Sequence, residues 1–257
     1  EYAMGSTGQV YPDGTGRKLP AGRLLRFAAH YPPGGEATLD RQKVGIKFYP
    51  KGVVPELIVT AHRIRTGVGH DWKLNREAVE DRLLRAGFDL DLHADRMPPG
   101  AIVDDNTLNG VAQMSIPPHS VVRHERFWPL PQAALILSFQ PHMHFRGSRM
   151  LLEAIHLDGR REVLTDVPNY EQSWQIVYPY KEAHLFPKGT ILHTVSWHDN
   201  TANNRHNPDP SAWIGWGGRT MDEMGHGWTD IAFMTDEQYE VRFAEREAAR
   251  AARANDE

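Results

Sequence analysis

Two histidines one residue apart, His142 and His144, stand near the end of the stretch Ser138-Phe139-Gln140-Pro141-His142-Met143-His144-Phe145-Arg146-Gly147. The residues before it, Ala133 to Leu137, are an apolar run rich in strand formers, so the pattern predicts a β-strand over 134–145. Alternate side chains of a strand share a face, which puts His142 and His144 on one side with Gln140 and Ser138; on a helix the same spacing would splay them apart. Two neutral imidazoles on one face form a chelate for zinc, copper or iron. The competing reading of the same residues is a solvated or hydrogen-bonded pair, and a third donor decides between the two.

A candidate third donor lies in Thr220-Met221-Asp222-Glu223-Met224-Gly225-His226-Gly227-Trp228, where Met224, His226 and Trp228 share a face if the segment is extended. A methionine beside a strand ordinarily fills core. A thioether with two imidazoles, however, suits copper, Cu(I) above all, far better than magnesium or calcium. Composition narrows the chemistry further. The 257 residues include no cysteine, which excludes disulfides, cysteine-ligated zinc, iron–sulfur clusters and thioether-attached haem. Fourteen histidines and eight methionines remain as the soft or borderline donors. The net charge of -4, with signs interspersed, argues against a nucleic-acid surface. The longest apolar run, Ala133 to Phe139, is far short of the roughly 20 residues that span a bilayer, so no transmembrane helix is expected. The chain starts at Glu1 without the charged and apolar regions of a signal peptide; the expectation is a removed leader or a longer parent polypeptide.

The elements that must position these residues are mostly strands. Residues 1–22 are glycine- and proline-rich turns, followed by a strand over 24–31 that ends with His30 before Pro32-Pro33-Gly34-Gly35. On its own residues His30 reads as a strand-end histidine contacting solvent or a backbone carbonyl. Strands follow at 44–49 and 57–64, then an excursion over 66–110 with a helix at 76–86, capped by Asn75, striped by Val79, Leu83 and Leu84, and stopped by Gly87. His70 and His93 in that excursion read as surface residues. Further strands are expected at 111–116, 121–127, 151–156, 162–166, 174–180, 190–198, 213–216 and 228–234, with Asp158-Gly159 as a hairpin turn and 199–210 as a long polar loop. Many short strands at about 8–12-residue spacing predict an all-β fold, an antiparallel jelly-roll-like sandwich with one short inserted helix. Thr235 or Asp236 caps a final helix to about Ala252, in which only Tyr239, Val241 and Phe243 offer apolar contact; it reads as a solvated or partner-contacting tail.

The stretches PHMHFRG, DGRREVLTDVPNYEQSWQ, WHDNTANNRHNPDP and WGGRTMDEMGHGW together resemble the bacterial relatives of the copper type II, ascorbate-dependent monooxygenases, the family of peptidylglycine α-hydroxylating monooxygenase and dopamine β-monooxygenase. The resemblance runs over 111–235, which looks like the family's C-terminal sandwich, and it implies an oxygen-activating copper on His142, His144 and Met224. RLLRFAAHYPPGG is similar to a strand of the family's N-terminal sandwich, which makes His30 the match of one ligand of the second, electron-supplying copper. The family's other two ligands of that copper are an adjacent histidine pair, and this sequence contains no His-His pair. The resemblance therefore divides the chain into a partial N-terminal sandwich at 1–55, a C-terminal copper-binding sandwich at 56–235 with the excursion at 66–110, and a charged helical tail at 236–257. Two further departures are the absence of cysteine, where animal members are disulfide-rich, and Gln140, where the peptide-processing enzymes carry a basic residue.

The activity implied is hydroxylation of an aliphatic C–H bond by O2, with one or two copper ions, ascorbate or another reductant as electron donor, and a small-molecule or peptide substrate. The implied location is periplasmic or extracellular. Gln140, Ser138, His198 or Asp199 would orient the imidazoles through their other nitrogens. A second reading is a catalytically incomplete domain that serves as a binding or scaffolding subunit of a larger extracytoplasmic or membrane-associated assembly, contacting a protein partner through the C-terminal helix. A third is a mononuclear zinc site on His142, His144 and a carboxylate such as Glu223.

Overall fold

In the computed structural model, which describes residues 8–25, 35–37, 39–67, 76–88 and 114–255, the chain passes in order through thirteen elements. They are β1 (Thr15–Gly16), β2 (Leu57–Arg65), α1 (Arg76–Arg85), β3 (Ser115–Ile116), β4 (Val121–Pro129), β5 (Ala133–Met143), β6 (Gly147–Ile155), β7 (Arg161–Val167), β8 (Tyr178–Phe186), β9 (Ile191–Asp199), β10 (Ile214–Gly215), β11 (Gly225–Met234) and α2 (Asp236–Asn255). One sheet has the order β1-β2-β11-β5-β8, a second β4-β9-β6-β7, and β10 pairs with β3. Among the eight long strands in chain order, the first sheet takes the first, eighth, third and sixth, and the second takes the second, seventh, fourth and fifth. With every long pairing antiparallel, this is the strand order of a jelly roll, and the protein is an all-β sandwich as expected.

Between the sheets, Ile64, Ala134, Ile136, Phe139 and Met143 meet Met150, Leu152, Ala154 and Leu192 in one buried cluster. The alternation that builds this layer is broken once in β5. Its pairing with β11 steps from Ile136 to Ser138 and leaves Leu137 over as a bulge. As a result Ala133, Leu135 and Leu137 face outward on one side of the bulge, in an apolar cluster with Leu57, Val59, Ala232 and Met234. Beyond it, Ser138, Gln140 and His142 take the outward positions. The bulge thus divides the outer face of this sheet into an apolar half and a polar half.

Each outer face has a helix at hand. Tyr239 of α2 and Tyr11 lie on the apolar half, and Arg242–Glu56 and Arg246–Glu182 ion pairs tie α2 down at 2.7 and 3.9 Å. The helix starts in a capping box: Thr235 Oγ1 accepts from the Gln238 N–H while Gln238 Oε1 accepts from the Thr235 N–H. The expected tail is therefore anchored in its first turns, while Val241 and Phe243 stay exposed. On the second sheet, Val79, Leu83 and Phe88 cover Phe127, Ile155 and Ile191, whereas Leu84, expected in the same stripe, is exposed.

Other expectations shift. Val44, Ile46 and Phe48 alternate as a strand would but are exposed and form none; the next residue, Tyr49, reaches the β1 edge with its side chain, its hydroxyl donating to the Thr15 carbonyl at 2.6 Å. The strand expected at 174–180 forms at Tyr178–Phe186, because Trp174 closes a turn onto the Glu171 carbonyl instead. Of residues 1–55, the described ones contribute β1, which extends the five-stranded sheet. His30, His70, Asn75 and His93 lie outside the described residues. No described helix is long and apolar enough to cross a membrane.

Candidate metal centre

Because β11 lies between β2 and β5, three rows of side chains cross the polar half of the outer face. Arg65, His226 and His142 form the first row, Arg63, Trp228 and Gln140 the second, and Ala61, Asp230 and Ser138 the third. Directly opposed residues of antiparallel strands project to the same side, so each row is one line of neighbours. His144 stands just past the end of β5 and Met224 just before β11, beyond the last pair, Gly225 and Met143. The three histidines gather here: the His142 ring is 5.4 Å from His144 at 85° and 5.4 Å from His226 at 21°, centroid to centroid.

The hydrogen bonds of these rings decide which nitrogen is free. His142 Nδ1 is 2.5 Å from Gln175 Oε1, and the Gln175 amide group is committed as donor to the Gln172 carbonyl at 2.8 Å. His144 Nδ1 is 2.9 Å from the Asp222 carbonyl, which can only accept. Each Nδ1 is thereby placed to carry the proton and donate it, which leaves His142 Nε2 with its lone pair, the state a metal-ligating imidazole needs, while the His144 ring also hydrogen-bonds the Arg219 backbone. Burial disfavours the imidazolium of His144, and the neighbouring His142 adds to the effect. Burial first, then His142, Arg63 and Arg65, push the pKa of His226 down to about 2.

The orienting groups differ from those expected. Gln140 acts at one remove, its amide donating to the Gln175 carbonyl at 2.7 Å. Ser138 donates to Asp230 at 3.2 Å, and Asp199 accepts from the Thr201 N–H at 2.8 Å. His198 Nε2 contacts the Met224 carbonyl at 3.0 Å and no imidazole of the outer face. Gln175 and the Asp222 carbonyl, both on loops, take the role instead.

Glu223 brings the two halves of the site together. Fully buried, it accepts from the backbone N–H of His144 at 3.0 Å, of Arg146 at 2.6 Å and of Met224 at 3.3 Å. Both its oxygens are engaged in pinning the β5–β6 turn to the segment before β11. It points away from the outer face, so it is no candidate zinc ligand. Burial pushes its pKa up to about 7 against the pull of those N–H groups and Arg146. The Arg146 side chain, also buried, donates to Asn200 Oδ1, the Met221 carbonyl and the Asp209 carbonyl at 2.8, 3.0 and 3.4 Å, which organises the long polar loop. Gly225 is required here: a Cβ would collide with Thr66 Oγ1 and stand 3.0 Å from Ser196 Oγ.

Behind Met224 a second pair of histidines, His198 buried and His124 half-buried, forms a chain. The Ser115 carbonyl, His124, His198 and the Met224 carbonyl are linked by contacts of 3.3, 3.2 and 3.0 Å. Burial lowers His124 to about 4 and His198 to about 3, so two neutral rings supply two N–H protons for three contacts. One contact is always without its proton.

Past the imidazoles the face opens into a cavity of about 300 Å³ lined by Arg17, Ser138, Gln140, Trp228 and Asp230. Among the described residues, three buried polar atoms on this face have no hydrogen-bond partner: Arg65 Nε, His226 Nε2 and Trp228 Nε1. Among the described residues, no group of three or more His, Asp or Glu side chains is already set around a metal position. The structure brings His142 and His144 together and places Met224 at the same end of the face, whereas His30 lies outside the described residues.

No family model and no curated protein matches the chain. Solved structures similar to it include the VP2 subviral particle of infectious bursal disease virus, at 11% identity and a TM-score of 0.22 over 53% of this chain and 37% of that one. The T13 particle of the same virus gives 8% and 0.22 over 74% and 35%, and its Gt strain 11% and 0.22 over 73% and 53%. The chain spans between about a third and a half of those chains, and at such TM-scores the likeness carries no argument.

Proposed function

We propose that this chain is a copper-binding jelly roll of the monooxygenase type, with copper held by His142, His144 and Met224. The observation that carries the reading is the placement of both imidazoles at one end of the outer face, where Gln175 and the Asp222 carbonyl accept from their Nδ1–H groups and Met224 stands in the segment that leads into the neighbouring strand. That donor set fits copper and keeps Cu(I) accessible. A bound copper ion would supply one-electron redox chemistry toward O2, drawing on ascorbate or another reductant. The reaction proposed is hydroxylation of an aliphatic C–H bond of a small molecule or peptide, in the periplasm or outside the cell. The chain's own contribution is to hold the imidazoles, and to seat a substrate in the adjoining cavity against Trp228 and Gln140. A second copper at His30 rests on the sequence resemblance alone.

One observation favours the scaffolding alternative. The described part of residues 1–55 joins the same five-stranded sheet and forms no second sandwich, while Val241 and Phe243 of α2 are exposed for a partner. Copper-dependent oxygen uptake with ascorbate separates the two readings.

Copper binding itself is tested by competition against a chromophoric Cu(I) chelator. The chain should hold one copper at this face, lost in His142→Ala and weakened in Met224→Ala; undiminished copper in both variants would sink the assignment. Gln175→Leu removes the acceptor that fixes the His142 tautomer and should weaken the metal about 10–100-fold. An unchanged affinity would deny Gln175 that role.

A further inference from the structure

We infer that residues 41–54 dock this chain on an anionic lipid surface, with lysine and arginine meeting the headgroups while Val44, Ile46, Phe48, Val53 and Val54 enter the apolar boundary beneath them. The inference goes beyond the copper reading and does not depend on it, because none of these residues belongs to the metal centre.

Composition is the first observation. Arg41, Lys43, Lys47 and Lys51 give the stretch four cations and no acid, in a chain whose net charge is -4. Among the described residues none of the four is paired with a carboxylate. Apolar residues are interleaved with them, and every residue from 41 to 54 is exposed. Val44 keeps 61%, Phe48 67% and Val54 81% of its surface in water, where the apolar residues of the long strands are mostly buried. Apolar side chains gathered in the open and rimmed by charge mark a contact surface rather than a core.

The stretch is held in place from its middle. The Tyr49 hydroxyl donates to the Thr15 carbonyl at 2.6 Å, and its ring lies so close over β1 that a Cβ at Gly16 would stand 3.0 Å from it. The chain then turns, with the Val53 N–H donating to the Pro50 carbonyl at 3.0 Å and Gly52 at a φ of 87°. Val44 to Phe48 and Lys51 to Val54 thus flank a fixed point on the β1 edge of the five-stranded sheet. Arg17, directly after β1, lines the cavity, so the docked edge stands next to it.

The mixture of side chains selects the occupant. An acidic protein would answer the cations and leave the apolar residues in water, and an apolar groove would do the reverse. A bilayer of anionic lipid answers both, since the stems of lysine and arginine cover apolar surface while their charged ends stay at the headgroups.

The test is co-sedimentation of the full chain with vesicles of phosphatidylcholine, alone or with about a third phosphatidylglycerol, at low and high salt. The native chain should bind the anionic vesicles at low salt and neither kind at high salt. Lys43→Gln with Lys47→Gln should weaken binding about 30-fold, since each cation beside an anionic bilayer contributes a factor of about five. Ile46→Ser with Phe48→Ser should weaken it about tenfold or more. Both pairs alter exposed side chains only, so folding is not at stake. A native chain that stays in solution with anionic vesicles at low salt, or a lysine pair that binds as the native chain does, would overturn the inference. Binding unchanged in the Ile46 and Phe48 pair would make the stretch a purely cationic surface for an acidic protein and overturn the lipid assignment.

Discussion

Glu223→Ala should lower the stability of the fold by about 3–5 kcal/mol and should abolish the proposed copper binding at temperatures where the variant is still folded. The argument is one of satisfaction. Glu223 answers the backbone N–H groups of His144 and Arg146 at 3.0 and 2.6 Å, and no water reaches a residue with no exposed surface. Alanine leaves those donors orphaned and the buried Arg146 guanidinium without its nearest counter-charge, each a substantial cost in a dry interior. The loss then spreads to function, because these same bonds join the turn carrying His144 to the segment carrying Met224. Glu223→Gln should fall between, since one amide oxygen can still accept while the amide nitrogen confronts an N–H. Urea unfolding of the three proteins measures the effect, with the chelator competition run in parallel. A loss below about 1 kcal/mol in Glu223→Ala, a typical single hydrogen bond, would show that the pin is not structural.

The parts of this arrangement that were legible in the sequence are the local ones. Strand alternation put Ser138, Gln140 and His142 on one face, and Asp158-Gly159 marked a hairpin whose Gly159 has φ of 87°. The apolar run before them was legible as strand but not as two faces, because the bulge at Leu137 depends on how β11 pairs, and nothing within β5 encodes it. Register is likewise why His226 could be seen as a neighbour of Met224 in the chain yet not as the partner of His142. His144 lies past the end of β5, so its place comes from Glu223 and the Asp222 carbonyl rather than from the alternation that first drew attention to it. Gln175 and Glu223 act from loops, where spacing carries no periodic signal, and a charged residue with no exposure is what composition argues against. Val44 to Tyr49 shows the converse: the pattern of a strand is present, and the segment pairs with no described strand.

His193→Ala should cost about 3–5 kcal/mol at pH 7, and the cost should shrink as the solution is acidified below about pH 4.5. On the outer face of the second sheet, under α1, His193 bridges two buried carboxylates: Nδ1 is 2.6 Å from Glu153 and Nε2 2.9 Å from Glu125. Arg161 and Arg123 close the ends of the array, at 2.6 Å on Glu153 and 3.1 Å on Glu125. Phe127 stacks on the imidazole at 4.2 Å and Phe88 meets it edge-on at 4.9 Å, so alanine also leaves a void between two aromatic rings. Burial by itself would raise the pKa of Glu153, but the hydrogen bonds from His193 and Arg161 outweigh it and hold the carboxyl below its ordinary 4.5. A carboxyl lowered in the folded state stabilises the fold fully above its unfolded pKa, and that stability is lost as pH falls through the folded value, because the unfolded chain then binds the extra proton. Removing His193 takes away one of the two groups that lower Glu153, so the variant has less of this acid-sensitive stability to lose. Urea midpoints of native and variant chains at pH 7 and pH 4 should therefore converge. A gap that stays constant between those two pH values would assign the loss to the aromatic void alone and remove the hydrogen-bonded bridge from the account.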